Sequence, residues 1–150
     1  INAEDPLNNF MPAPSKIVRY AEPSGPGIRV DSGVYQGFTI PPFYDSMIAK
    51  LIIWAEDRPR AIARVKRALW EFQIGGVRHN IPFHQVVMDN QQWINGTYNT
   101  SFIPRYQILE KVVEYVKEQK AQSSSPKVAA AMAAVQAVNV AMSVTNQQKK

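Results

Sequence analysis

Two consecutive prolines, Pro41 and Pro42, stand ahead of a polar turn and an apolar run, and they constrain the fold more than any other feature of the chain. Each fixes φ and withholds a backbone donor, so the strand before them must stop. The run 51–54 that follows, Leu51, Ile52, Ile53 and Trp54, has strand length and β-branched character. Between the two lie Tyr44, Asp45, Ser46 and Lys50, four hydrogen-bonding side chains around Met47 and Ile48. These fit a capped turn with a solvated lysine, since Asp and Ser are the ordinary residues at caps and turns. They also fit a polar surface that core packing alone does not require.

Pro-rich loops separate short strand-like runs up to about residue 55, and helical patterns dominate afterwards. Residues 16–20 and 27–31 read as strands joined by the turn 22–27. Residues 34–40 form the next candidate strand, with Gly37 marking a bulge or a close backbone approach. Together these predict an antiparallel meander and an α+β fold. A helix begins after Asp57, which caps it, with Pro59 tolerated in the opening turn. Ile62, Val65, Leu69 and Phe72 recur at helical spacing on its inner face, and Gly75 with Gly76 ends it. The opposite face carries Arg60, Arg64 and Arg67, a stripe that could meet phosphate or simply face solvent. No aromatic residues interleave with it as a nucleic-acid platform requires.

A second helix is expected from Asn80, with Pro82 in its first turn and Phe83, Val86 and Val87 inward. Asn95 and Gly96 carry the signal of a tight hairpin turn. Residues 98–103 are expected to be extended and 104–120 helical, with Ile108, Leu109, Val112, Val113 and Val116 buried. The serines and proline of 121–127 read as a linker. In residues 128–146 the composition shifts to Ala, Val and Met, and Val128, Met132, Val135, Val138 and Met142 make one apolar stripe, which suits a docking helix. Gln136, Asn139 and Ser143 interrupt that segment, so no membrane span is expected.

Composition narrows the chemistry. A length of 150 residues suffices for one domain with a real core. The absence of cysteine excludes a disulfide framework, thiolate catalysis and Cys-based zinc sites. His79 and His84 are the only histidines, too few for a His-rich metal site. A formal charge of +5 and a pI near 9.6 favour anionic partners. The chain has neither an initiator Met nor a signal peptide, and its start within a structured-looking segment is expected of a piece of a longer protein.

Several separate motifs carry a family resemblance. They are Ile1, Asn2, Ala3, Glu4, Asp5 and Pro6; Pro12, Pro14 and Lys16; the stretch 25–32; the Pro41–Lys50 stretch; Arg58, Ala61, Ile62 and Leu69; Gly76, Val77, Arg78, His79 and Asn80; and Thr100 with Phe102. In this unbroken order, from Ile1 to about Ile103, the chain resembles the carboxy-terminal domain of biotin carboxylase, with domain bounds of 1–120. The family uses ATP to activate bicarbonate as carboxyphosphate and then carboxylates biotin held on a carrier protein. The resemblance therefore implies ATP, Mg2+ or Mn2+ and carrier-bound biotin for a whole enzyme, with none of them bound by this chain alone. It implies an upstream ATP-grasp region, a homodimer, a biotin carboxyl carrier protein and a carboxyltransferase as partners, a cytoplasmic location, and neither nucleic acid nor membrane. Acetyl-CoA, propionyl-CoA and pyruvate carboxylases share the unit, so the acceptor stays open.

In the family an arginine assigned to the biotin enolate immediately precedes the motif that begins here at Ile1. The chain alone is accordingly expected to be catalytically inert and to supply active-site support and subunit contacts. By resemblance, Asp45 lies on the biotin-facing or dimer-facing side and orients neighbouring cations. Arg29 belongs to the dimer interface, and Thr100 lies where the chain passes the adenine. A turn cap, a surface ion pair and an ordinary strand position are the plain alternatives for these three. Ser15 and Ser24 stand where the family has glycine, and serine costs on the order of 1 kcal/mol at either position if φ is positive there. A free-standing, non-catalytic basic module that binds RNA or an acidic partner and a gene fragment without function remain the other readings of the whole chain.

Overall fold

A computed structural model describes residues 1–123, and residues 128–146, the expected docking helix, lie outside them. The chain divides into two units, Ile1–Tyr115 and Val116–Lys150. The first mixes short antiparallel strands with helices, in the α+β class expected.

Its strands are β1 (Glu4–Asp5), β2 (Met11–Pro12), β3 (Arg19–Ala21), β4 (Ile28–Ser32), β5 (Ala49–Ile53) and β6 (Gln73–Gly75). They pair as β1 with β2, β3 with β6 and β4 with β5, all antiparallel. The order is thus not that of a simple meander, because β3 finds its partner beyond a helix. The Tyr20 hydroxyl and the Ser32 hydroxyl, 2.8 Å apart, tie β3 to β4.

Residues 34–40 are not a strand. Tyr35 O accepts the Phe38 N–H at 3.0 Å, closing a turn through Gly37 at φ +95°, and the segment keeps only one bridge, Lys16 with Thr39. The strand that pairs with β4 is β5 instead, in the register Ile28 with Ile53 and Arg29 with Ile52. Neither Ser15 nor Ser24 has positive φ, so their departure from glycine costs nothing of that kind.

Helix α1 (Arg58–Glu71) begins as expected. Asp57 is extended at φ −145°, and its carboxylate accepts the Arg60 N–H at 2.8 Å. Ile62, Ala68 and Leu69 are buried, and Phe72, the C-cap, turns its ring into the core. The chain then enters β6 directly, so Gly75 belongs to a strand rather than to a helix end. Helix α2 (Ile81–Asp89) follows Asn80 with Pro82 in its first turn.

Asn95 and Gly96 do not make a hairpin. A short helix α3 (Gln91–Asn95) is capped by the Asn90 side chain, which accepts from Gln92 N at 2.9 Å, and it ends at Gly96 in the left-handed region at φ +70°. The expected extended stretch 98–103 is a loop leading into a one-turn helix, α4 (Phe102–Arg105). Gln107 at φ +50° breaks the helical path, so the last helix, α5 (Ile108–Ser123), starts four residues later than expected and runs past Lys120. Ile108 and Val112 are fully buried, whereas Leu109 is exposed.

Candidate functional site

The amino-terminal residues form the centre of the arrangement. Ile1 O accepts the N–H groups of Ile48 at 2.8 Å and Ala49 at 3.2 Å, and the Ile1 nitrogen donates to Ala49 O at 2.7 Å. Ala3 N donates to Ser46 O at 2.7 Å, and Asn2 bridges Met47 in antiparallel sense. On the other side the Asn80 side-chain oxygen accepts the Asn2 N–H at 2.9 Å, and Asn80 N donates to Asn2 O at 3.1 Å. Residues 1–3 are therefore held between the segment 46–49 and the start of α2. Three motifs far apart in sequence meet here.

Side chains reinforce the junction. One oxygen of the Glu4 carboxylate accepts both the Asn2 amide at 2.9 Å and the Ser46 hydroxyl at 3.0 Å. Ala3, Ile48 and Ala49 are buried, and Asn80 is the buried polar residue of the core among the described residues. Its oxygen serves Asn2, which explains why it makes no side-chain cap on α2.

A cavity of about 240 Å³ opens beside the junction, lined by Ile1, Leu51, Val65, Leu69, His84 and Met88. Burial pushes the His84 imidazole down to about 4. Burial also lowers the pKa of His79. Both rings are thus neutral at pH 7.

Asp45 lies in the exposed turn just before this junction. Its carboxylate accepts the Met47 N–H at 3.2 Å, closing an Asx turn of the kind its residue type favours. The remaining side chains of that turn face outward, with Phe43 87% and Tyr44 83% exposed. Of the four polar residues in the segment only Ser46 points into the junction. Tyr44 and Asp45 stay on the exposed turn, and Lys50 is exposed on β5 opposite Asp31.

Arg29 stands elsewhere, on β4, where its guanidinium pairs with Asp31 at 3.2 Å on an exposed face. Thr100 occupies an exposed turn between α3 and α4. Among the described residues no hydrogen bond or ion pair links Arg29, Asp45 and Thr100 to one another. Nor does any group of three or more His, Asp or Glu side chains among them stand in position to hold a metal ion.

The arginine stripe of α1 is engaged with its own domain. Arg60 pairs with Asp57 at 3.0 Å, Arg64 donates to Trp54 O, and Arg67 donates to Ser24 O at 3.4 Å and faces Glu71. Gly27 is required beneath it, since a Cβ there would fall 2.5 Å from Trp54 O. No described helix is long and apolar enough to cross a membrane.

Sequence reasoning missed Glu4 and Asn80 as the junction's clamps. The two stand in separate motifs, and nothing in either motif says that they serve the same segment.

A model of the biotin carboxylase C-terminal domain matches residues 1–105. The chain is 48% identical to a curated pyruvate carboxylase component of Methanothermobacter thermautotrophicus over 145 residues, covering 90% of this chain and 30% of that protein. It is 50% identical over 109 residues to biotin carboxylase 1 of Bacillus subtilis, covering 73% of this chain and 24% of that protein. Among solved structures, the biotin carboxylase subunit of pyruvate carboxylase superposes with a TM-score of 0.70 at 39% identity, over 72% of this chain and 24% of the other. The biotin carboxylase domain dimer of Hydrogenobacter thermophilus 2-oxoglutarate carboxylase, in complex with MgADP, ADP and bicarbonate, gives 0.69 at 38% identity, with the same coverage of 72% and 24%. The chain spans less than a third of the length of these curated relatives. The Methanothermobacter match covers 90% of the chain, more than residues 1–120 can supply, so it extends into the tail beyond Lys120.

Proposed function

Since this chain belongs to the biotin carboxylase C-terminal domain family, we propose that it works as the carboxy-terminal part of an ATP-dependent biotin carboxylase that serves a pyruvate carboxylase. The observation that carries the finer reading is coverage: the match to the Methanothermobacter pyruvate carboxylase component takes in 90% of the chain, against 73% for the Bacillus biotin carboxylase.

In such a ligase ATP converts bicarbonate into an activated carboxyl donor for carrier-bound biotin. This chain's part is to build one wall of that site. Residues 1–3, gripped from both sides, fix the direction in which the chain arrives at Ile1 and hence the side chain that precedes it. Asp45 presents a solvent-facing carboxylate beside that entry, suited to orient a neighbouring cation. Thr100 offers an exposed turn to the adenine, and Arg29 an exposed guanidinium to a second copy of the enzyme. A divalent cation for the nucleotide phosphates would have to be held by residues elsewhere in the enzyme. The carrier protein and the carboxyltransferase complete the reaction path, in a cytoplasmic assembly. The chain alone is inactive in this reading.

Joining the 150-residue chain behind the ATP-grasp region of the Methanothermobacter relative tests the proposal. The joined enzyme is expected to cleave ATP in a bicarbonate-dependent way and to support pyruvate carboxylation with the rest of that enzyme, while the chain alone cleaves none. A folded but inactive joined enzyme overturns the proposal, as does ATP cleavage by the isolated chain.

A further inference from the structure

We infer that Arg58 is a positioning residue for the nucleotide, acting by fixing residues 96–101, the loop that carries Thr100; the nucleotide part of this rests on the proposed adenine role of Thr100. Arg58 opens α1, yet its guanidinium reaches the far end of α3. Its Nε donates to Ile94 O at 3.3 Å and its Nη2 to Trp93 O. These carbonyls belong to the last turn of α3, and the Trp93 carbonyl also accepts the Gly96 N–H at 3.1 Å, so Arg58 engages the same atom that closes the turn.

The same guanidinium lies over two rings. Its carbon is 5.5 Å from the centre of Trp93 and 5.9 Å from that of Tyr98. The rings stack on each other with centroids 4.4 Å apart and planes 23° from parallel. Trp93 precedes the left-handed Gly96 and Tyr98 follows it, so one side chain clamps both arms of the turn. Within the turn Thr97 donates its N–H to Gln92 O at 3.0 Å and its hydroxyl to the Gln92 side chain at 2.6 Å. Tyr98 meets Phe102 edge-on at 5.7 Å, and Phe102 is buried.

Thr100 is therefore exposed but bracketed by two anchored rings. Of those anchors, Phe102 is held by the core and Tyr98 by the Arg58 stack. A lysine could supply the charge at this position but not the planar fork that spans two carbonyls and lies flat on a ring.

Two measurements test the inference. In the 150-residue chain, R58A is expected to speed hydrogen exchange of the Gly96 and Thr97 amides about tenfold or more, leaving the amides of the middle of α1 unchanged. In the joined enzyme, R58A is expected to raise KM for ATP about tenfold with kcat within about twofold, and R58K to recover part of the loss. Unchanged exchange in R58A overturns the inference. So does an unchanged KM in R58A when T100R, which crowds the adenine, raises it. Insensitivity of KM to both variants overturns the adenine reading of Thr100, and with it the nucleotide part of the inference, while the exchange result still decides whether Arg58 fixes the loop.

Discussion

Asn80 and Asn2 exchange two hydrogen bonds across 78 positions of sequence: the Asn80 side-chain oxygen accepts the Asn2 N–H at 2.9 Å, and the Asn80 N–H donates to the Asn2 carbonyl at 3.1 Å. A side chain at the start of a helix would ordinarily cap that helix. Here it pins the segment on which the proposed active-site wall depends.

Asn80→Ala leaves a part-buried Asn2 N–H without its acceptor. The chain is expected to lose about 1–3 kcal/mol, read as a lower urea midpoint at unchanged slope. An unshifted midpoint would show that solvent replaces the bond without cost.

Gly76 sits at φ +88°, where a Cβ would stand 2.5 Å from Lys16 O and 2.9 Å from Val18 N. Both neighbours are backbone and cannot swing aside. Gly76→Ala is expected to destabilise by more than about 1 kcal/mol and to loosen the β3–β6 pairing in hydrogen exchange. Wild-type protection of the Val18 amide in the variant would contradict this.

Burial holds His84 at about 4, below its ordinary 6.5. Between those values the unfolded chain binds a proton that the folded chain refuses, so stability rises with pH across the window and is lost as pH falls through it. Unfolding midpoints from pH 7 to 4 should fall less steeply in His84→Gln than in the parent. His79, also lowered by burial, contributes in the same direction and remains in the variant. Equal slopes in both proteins would rule His84 out as a source of the acid sensitivity.

Asp45 closes an exposed turn through one bond, to Met47 N. Asp45→Ala is expected to change the stability of the chain by less than about 1 kcal/mol. In the joined enzyme, loss of the carboxylate proposed to orient a cation is expected to cut kcat about tenfold to a hundredfold. An unaltered kcat would leave Asp45 as a turn cap only.

Much of the local structure was legible because it is decided locally. Asp57 and Pro59 announce the start of α1, and Pro82 that of α2, since caps and first-turn prolines act over three or four residues. The strand after Pro41 and Pro42 was legible from its β-branched run. The errors fall where two distant segments compete. Residues 34–40 have strand composition but curl into a turn, because β4 takes β5 as its partner. Asn95 and Gly96 suit a hairpin and a helix end equally, and the Arg58 fork on the preceding carbonyls favours the helix end.

The sequence by itself determined the family, through side chains in a fixed order, and the main helices, through caps and apolar spacing. Only the tertiary structure decided that residues 1–3 lie between Ser46 and Asn80, that Glu4 gathers Asn2 and Ser46, and that Arg58 governs the loop of Thr100. The reason is physical. Periodicity and capping are short-range and repeat along the chain, whereas a single hydrogen bond over 78 positions leaves no periodic trace in it.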